Sequence, residues 1–217
     1  MPYDLAQSIC GDCFGKWMSE IRCTQRSGKN FSDELVCRAV NSYDYLIEYH
    51  TEEKTLGNMI LLSVKRENIK PVSEFFAGWL WESAKEYAKE NAAPVCVVNV
   101  PRAAESVWKY GHDQSREIAA CLAKKLNCPH VEALQCAKNG KGAAQKSLSA
   151  SERKIAVKNK YTVKPKLIPG IMGKRCILID DVSTTGATLS ACAELLELYG
   201  AKYVDCLTVG KTNRGAE

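Results

Sequence analysis

The sequence predicts an α/β protein: a parallel sheet flanked by helices, preceded by a small cysteine-bearing N-terminal module. From about residue 94 onward, short apolar segments alternate with segments of helical periodicity, as in parallel sheets with helical crossovers. The strand segments are apolar almost throughout, as in strands buried on both faces. Residues 1–40 contain four cysteines and show little periodicity. We therefore predict the N-terminal module over residues 1–40 and the α/β domain over 41–217.

The composition is that of a folded globular protein. Of the 217 residues, 46% are hydrophobic and 25% are charged, unlike the composition of a disordered chain. No apolar run approaches the ~20 residues of a membrane helix, and the N-terminus lacks the basic and apolar regions of a signal peptide. The 11 cysteines are an odd number, which excludes complete pairing into disulfides. We therefore expect a cytoplasmic protein that does not insert into a membrane.

Three regular segments are predicted ahead of the alternating region. Residues 42–49, SYDYLIEY, alternate in polarity and are rich in aromatic side chains, which favours a strand. A helical run is predicted from Thr51, and a later helix has Pro71 in its first turn, where a helix tolerates proline. The Phe and Trp side chains of this later helix recur at helical spacing, so we expect them in the core.

The alternating region supplies the remaining elements. The predicted strands cover residues 94–100, 130–136, 174–181 and 202–210, and the predicted helices cover 113–126 and 185–200. The strand KRCILIDD at 174–181 has the clearest pattern, whereas HVEALQC at 130–136 has a weak one. Five cysteines in these segments are expected to pack in the core as small apolar side chains. They are Cys96, Cys121, Cys176, Cys192 and Cys206.

The four N-terminal cysteines suggest a metal site. Cys10 and Cys13 have the spacing of a zinc knuckle, and Cys23 and Cys37 would complete a set of four thiolate ligands for Zn²⁺. The other gaps are irregular, so two alternatives stay open. One is a degenerate remnant of such a site, and the other is a redox-active pair formed by Cys10 and Cys13.

Positive charge is concentrated in one segment. The formal net charge of the chain is +5, yet residues 138–166 contain nine Lys and Arg side chains and one Glu, a local charge of +8. Such a focused positive field favours a polyanion, either phosphates on a small substrate or nucleic acid. A solvated basic loop is the alternative interpretation.

The segment that carries chemistry runs from Arg175 to Thr188. A buried strand ends in Asp180 and Asp181, a loop of Ser, Thr and Gly follows, and a helix then begins. Open α/β sheets bind ligands at the carboxyl ends of their strands, and the first turn of a helix offers unpaired N–H groups to a phosphate. Because carboxylates accept hydrogen bonds from sugar hydroxyls, the pattern indicates a ribose 5-phosphate site. The predicted phosphate loop comprises Ser183, Thr184, Thr185, Gly186, Ala187 and Thr188.

A simpler interpretation of Asp180 and Asp181 is a helix cap with a Thr-rich turn, but a cap needs only one carboxylate.

Residues 177–188, ILIDDVSTTGAT, resemble the phosphoribosyl pyrophosphate (PRPP) motif of type I phosphoribosyltransferases. Residues 145–153, QKSLSASER, resemble the Q-x-x-L-S-x-x-E-R pattern of the ComF family, and the order of parts along the chain is also similar. The chain departs from the ComF pattern in two places. Tyr110-Gly-His-Asp-Gln114 stands in place of R-G-F-N-Q, with Gly and Gln kept, and Ala156 stands in place of Asn. The resemblance implies a type I phosphoribosyltransferase-like fold.

The resemblance also implies an activity, which is binding PRPP or transferring its phosphoribosyl group, with Mg²⁺ carried by the phosphates. The predicted catalytic residues are Asp180, Asp181 and Arg102, of which Arg102 would supply positive charge near the leaving pyrophosphate. Further candidates for contacting pyrophosphate or forming a lid are Lys65, Lys141, Gln145, Lys146 and Arg153. His112 is considered as a general acid or base, although a lone histidine is more often structural.

Three functional hypotheses share this site. The first, which we favour, is a phosphoribosyltransferase whose acceptor the sequence does not identify. The second, implied by the resemblance to ComF proteins, is an accessory protein of DNA uptake in natural transformation, with or without turnover. Its partner would be single-stranded DNA or a DNA-uptake helicase. The third is a regulatory module that senses PRPP. The sequence sets no oligomeric state.

Overall fold

The computed structural model describes residues 11–12, 15, 39–40, 42–50, 70–89, 93–137 and 160–213. Within these residues the strands are β1 (Ser42–His50), β2 (Val95–Asn99), β3 (Leu134–Cys136), β4 (Tyr161–Val163), β5 (Arg175–Ser183) and β6 (Tyr203–Asn213). The α-helices are α1 (Lys70–Lys89), α2 (Ala104–Tyr110), α3 (Gln114–Leu126) and α4 (Ala187–Leu198). A 3₁₀ helix covers Pro165–Gly170.

The main sheet is parallel and has the strand order β1-β6-β5-β2. Beyond β2, the backbone N–H of Val97 donates to the carbonyl of Pro129 at 2.9 Å, and the N–H of Val131 donates to the carbonyl of Val97 at 2.8 Å. His130 thereby forms a short parallel bridge at this edge. Strands β3 and β4 form a separate antiparallel pair.

Each face of the sheet has its own apolar core. Helix α4 and the β3-β4 pair pack on one face, and helices α1 and α3 pack on the other. Successive residues of β5 alternate between the two, because Cys176 and Leu178 belong to the first core while Ile177 and Ile179 belong to the second. Burial on both faces therefore explains why this strand is apolar at every one of these positions.

Local signals set the helix ends. Helix α1 has Pro71 in its first turn, as predicted. Asp113 caps helix α3 by accepting a hydrogen bond from the N–H of Arg116 at 3.2 Å, and Asn127 ends the helix in the left-handed conformation. Gly186, with φ of 76°, precedes helix α4. The positive φ at Gly186 turns the chain sharply from β5 into α4 at the carboxyl edge of the sheet.

A buried ion pair joins β5 to β6 at the opposite edge. The Arg175 Nη1 atom donates to Asp205 Oδ2, and the two side chains are 2% and 0% exposed. The guanidinium carbon of Arg175 also lies 4.8 Å from the centroid of the Tyr203 ring. These contacts fix the relative position of β5 and β6 far from the carboxyl ends of the strands.

The predicted α/β fold is confirmed, and the differences are local. Strand β5 continues to Ser183, so the two carboxylates lie inside the strand and not at its end. Most of the predicted strand at 130–136 is loop, and its last three residues pair with β4, which was not predicted. Helix α2 was also missed, because none of its residues is buried and it has no apolar stripe to detect. Four of the five core cysteines are buried, whereas Cys121 is half-buried.

Several predictions fall outside the described residues. These include the four candidate zinc ligands Cys10, Cys13, Cys23 and Cys37, and the helical run from Thr51. The N-terminal module over residues 1–40 therefore stays a prediction. None of the helices described here is both long and apolar enough to span a membrane.

Candidate active site

A cavity of about 250 Å³ lies at the carboxyl ends of β2 and β5. Its walls come from β5, from the segment that joins β2 to α2, from α2 itself, from the start of α3, from β4 with the residue before it, and from α4. The lining residues are Val100, Pro101, Arg102, Ala103, Ser106, Asp113, Gln114, Ser115, Lys160, Tyr161, Asp180, Asp181 and Thr188. This position is where open parallel sheets bind their ligands.

The two carboxylates of β5 are held in different ways. Asp180 Oδ1 accepts a hydrogen bond from the Ser115 hydroxyl at 3.1 Å and another from the N–H of Asp181 at 2.9 Å. Asp181 Oδ1 accepts from the N–H of Val182 at 2.6 Å. The start of α3 thus helps to orient Asp180, in addition to the backbone hydrogen bond that both carboxylates accept.

Arg102 joins the β2–α2 segment to the start of α3. Its backbone N–H donates to Asp113 Oδ2 at 2.9 Å, and its Nη1 donates to the carbonyl of His112 at 3.2 Å. The guanidinium carbon lies 4.7 Å from the centroid of the Tyr110 ring. Asp113, which also caps α3, therefore fixes the backbone of Arg102 at the cavity wall.

His112 does not line the cavity. Its side chain is buried, and Nδ1 lies 2.8 Å from the carbonyl oxygen of Tyr110, to which it donates as the protonated nitrogen. This contact holds the turn between α2 and α3. The geometry therefore favours the structural role, which the sequence also favoured, over a role as general acid or base.

The predicted phosphate loop surrounds the start of α4. Thr184 and Thr185 are exposed, and Thr185 Oγ1 accepts a hydrogen bond from the N–H of Ala187 at 3.4 Å. Thr188 alone of the predicted loop residues lines the cavity. Ser183, by contrast, is buried within β5 opposite a residue of β6. The exposed loop and the cavity are therefore two adjoining parts of one surface.

Lys160 and Tyr161 form another part of the cavity wall. The Tyr161 hydroxyl hydrogen-bonds to Thr188, and burial raises the pKa of Tyr161 well above its ordinary value, so this phenol stays protonated. Lys160 belongs to the basic 138–166 segment and brings one of its charges to the cavity. This placement favours a phosphate-bearing ligand for at least part of that segment.

The structure brings together four of the predicted site residues, namely Asp180, Asp181, Arg102 and Thr188. The candidates Lys65, Lys141, Gln145, Lys146 and Arg153 lie outside the described residues. Sequence reasoning missed Gln114, Ser115, Lys160 and Tyr161 as site residues. The helix start predicted at 113 was the available signal for Gln114 and Ser115, since a helix that begins after a parallel strand often faces the ligand edge.

Residues 112–217 match the sequence profile of the phosphoribosyl transferase domain family. This part of the chain, just under half of it, is similar to a phosphoribosyltransferase domain. The matched residues contain β5, the loop after it, α4 and β6, whereas Arg102 and β2 precede them. Together with the parallel sheet, the match confirms the predicted type I phosphoribosyltransferase-like fold.

Relatives extend the similarity beyond the domain. DNA utilization protein YhgH of Escherichia coli K12 is 30% identical over 119 residues, 55% of this chain and 50% of that protein. Competence protein F of Haemophilus influenzae is 29% identical over 114 residues, 51% of this chain and 48% of that protein. The chain spans about half the length of these curated relatives. The predicted resemblance to the ComF family is thereby confirmed.

One solved structure of similar shape is a hypoxanthine phosphoribosyltransferase from Staphylococcus aureus. It has a TM-score of 0.41 and 14% identity over 69% of this chain and 70% of that one.

Proposed function

We propose that the phosphoribosyltransferase domain binds PRPP, or a related phosphoribosyl ligand, and transfers the phosphoribosyl group to an acceptor. The main support is the convergence of Asp180, Asp181, Arg102 and Lys160, from separate elements, on one cavity. The carboxylates suit sugar hydroxyls, and the cations suit a diphosphate. The exposed Thr184 and Thr185 and the first turn of α4 suit the 5-phosphate.

In the proposed reaction, the bond from C1 of the ribose to a pyrophosphate oxygen breaks, and C1 forms a bond to the nucleophilic atom of the acceptor. The bonding electrons leave with pyrophosphate, so the sugar ring gains positive charge in an oxocarbenium-like transition state. Asp180 and Asp181 stabilise that positive charge, and Arg102 and Lys160 stabilise the negative charge of the leaving group. The protein contributes positioning and electrostatics and forms no covalent intermediate.

The donor set of the cavity suits Mg²⁺ carried by the ligand. Mg²⁺ prefers oxygen ligands and commonly shares substrate phosphates with one or two carboxylates. Asp180 and Asp181 would be those carboxylates. The part of the chain that the structure describes contains no cluster of three or more His, Cys, Asp or Glu side chains suited to a metal ion. When bound, Mg²⁺ would neutralise charge on the diphosphate.

Isothermal titration calorimetry with PRPP, with and without Mg²⁺, tests the proposal. The wild-type chain is compared with the double variant Asp180→Asn, Asp181→Asn. We expect Mg²⁺-dependent binding in the wild type and a loss of at least about tenfold in affinity in the variant, equivalent to about 1.4 kcal/mol. A matched control, Glu82→Gln with Glu86→Gln on the exposed face of α1, removes the same charge away from the cavity.

Equal binding by the wild type and the Asp180/Asp181 variant would contradict the proposed site. Absence of PRPP binding by a folded wild-type chain would contradict the proposed function. If the wild type does bind PRPP, release of pyrophosphate on addition of candidate acceptors would establish turnover. Binding of PRPP without release of pyrophosphate would favour the PRPP-sensing role.

A second candidate function is an accessory role in DNA uptake. It is supported by the names of the relatives, a DNA utilization protein and a competence protein, and by the +8 charge of residues 138–166. In this proposal the chain binds single-stranded DNA or a DNA-uptake helicase, in the cytoplasm, while PRPP regulates or accompanies that binding.

Fluorescence anisotropy with a labelled single-stranded oligonucleotide tests the DNA proposal. Affinity should fall steeply between about 50 mM and 200 mM salt, because phosphate contacts release counterions. A Lys164→Ala, Lys166→Ala variant, outside the cavity lining, should bind DNA more weakly and PRPP normally. Weak binding with no salt dependence would contradict this second candidate.

A further inference from the structure

Gln114 has an unusual environment at the start of α3. Its side chain is 2% exposed, and the residue lines the cavity. Neither Oε1 nor Nε2 has a hydrogen-bond partner among the residues the structure describes. Its neighbour Ser115, by contrast, donates to Asp180 at 3.1 Å.

A buried amide without a hydrogen-bond partner lowers the stability of the folded protein, so its presence calls for an explanation. Native structures pair nearly all of their buried polar side chains, and each exception calls for an explanation. An apolar side chain of the same length would fill this position without the desolvation cost of the amide. The cost is recovered if a ligand supplies the missing hydrogen bonds when it enters the cavity.

The surrounding groups indicate the chemistry of that ligand. Asp180 and Asp181, as carboxylates, can only accept hydrogen bonds, whereas the amide of Gln114 can both donate and accept. A hydroxyl that donates to a carboxylate keeps lone pairs that can accept from the amide Nε2–H. Vicinal hydroxyls of a sugar match this combination, whereas a phosphate offers only acceptors and would leave Oε1 unpaired.

We infer that Gln114 is a substrate-binding residue that holds the ribose hydroxyls of the ligand together with Asp180. This inference rests on the proposed function, since it assigns a contact within the same PRPP site. It predicts an unusual combination of effects: removal of the amide stabilises the free protein and weakens binding of the sugar.

The test is the variant Gln114→Met, in which an unbranched apolar side chain replaces the amide. The probes are ribose 5-phosphate and inorganic pyrophosphate, measured by calorimetry on the full chain. We expect the dissociation constant for ribose 5-phosphate to rise at least about tenfold, while that for pyrophosphate changes by less than about twofold. The thermal midpoint of the free variant should equal or exceed that of the wild type by about 2–4 °C.

A matched control is Gln135→Met on β3. Gln135 is exposed, and its Nε2 donates only to Thr162 Oγ1, at 3.3 Å, among the contacts seen in the structure. This control should leave both ligands and the thermal midpoint nearly unchanged.

Three results would overturn the inference. Unchanged ribose 5-phosphate affinity in Gln114→Met would show that the ligand does not use the amide, while the proposed function would stand. A lower thermal midpoint, or an equal loss of pyrophosphate binding, would show that the amide supports the fold. If the wild type binds neither ribose 5-phosphate nor PRPP, the proposed function itself fails and the inference fails with it.

Discussion

Asp180 and Asp181 are neighbours in the sequence but depend on different parts of the molecule. The carboxylate of Asp180 is oriented by Ser115 on α3, whereas that of Asp181 is oriented by the N–H of Val182. The position of the first carboxylate therefore depends on the packing of a helix as well as on the strand.

This difference predicts a specific effect of Ser115→Ala. Loss of one hydrogen bond of ordinary strength, about 1 kcal/mol, should raise the dissociation constant for PRPP about fivefold, because Asp180 loses the hydrogen bond that ties it to α3. Calorimetry measures the change. Ser83→Ala, on α1 and outside the cavity lining, is the matched control and should bind normally. An unaltered affinity in Ser115→Ala would show that Asp180 keeps its orientation without the hydroxyl.

Two glycines should respond in opposite directions to the same substitution. Gly186 has φ of 76°, a conformation that disfavours any Cβ, so Gly186→Ala should destabilise the chain by about 1–2 kcal/mol. Gly78 lies inside α1, and a Cβ at this position would meet no described atom within 4 Å. Gly78→Ala should therefore stabilise the chain by about 0.5–1 kcal/mol. Urea denaturation measures both. If both substitutions changed the free energy of unfolding in the same direction, the explanation from backbone conformation would be contradicted.

Among the elements, β5 and β6 form the centre of the fold, and the Arg175–Asp205 pair lies between them. Removing one buried partner leaves an uncompensated charge, so Asp205→Asn should cost about 3–5 kcal/mol. The double variant Arg175→Met, Asp205→Leu should cost less than Asp205→Asn alone, since no charge remains buried. Urea denaturation tests this order, and a double variant that is the less stable of the two would contradict it.

The exposed pair Lys85–Glu82 on α1 provides the control for the buried pair. Its atoms approach within 2.9 Å, close enough for an ion pair, yet its side chains are 32% and 56% exposed. Glu82→Gln should therefore cost less than about 1 kcal/mol. The comparison separates the effect of burial from that of ion pairing itself.

The sequence predicted those elements that bury a regular apolar pattern. Such patterns occur in strands β2, β5 and β6 and in helices α3 and α4. The two consecutive carboxylates of β5 predicted the position of the ligand site. Helix α2 buries no residue, and β4 is three residues long, so neither left a periodic signal. Ser115 and Asp180 are 65 positions apart, and only the packing of α3 on the sheet brings them together.

At the scale of the whole molecule, the cavity joins elements from both faces of the sheet. Helix α3 contributes from the face that it shares with α1, and Tyr161 and Thr188 contribute from the other. A ligand in the cavity therefore contacts parts that belong to two separate apolar cores. Binding should stabilise the domain as a unit.

Stabilisation by the bound ligand predicts how far the thermal midpoint of unfolding should rise. PRPP at about 100 times its dissociation constant should stabilise the folded chain by about 2.7 kcal/mol, because only the folded state binds. Each kcal/mol raises the thermal midpoint by about 2–4 °C for a chain of this size. Differential scanning fluorimetry should show the shift in the wild type and not in Asp180→Asn, Asp181→Asn. The same shift in both proteins would place the ligand elsewhere.

The pairing of β1 with β6 also bears on how the protein is made. The Tyr43 hydroxyl lies 3.0 Å from Thr208 Oγ1, although the two residues are 165 positions apart. In the described sheet β1 has no other neighbour than β6. Contacts between such distant residues form slowly, because a long loop must close first. On the ribosome, β1 emerges well before β6 has been synthesised, so this edge of the sheet stays incomplete until β6 follows it.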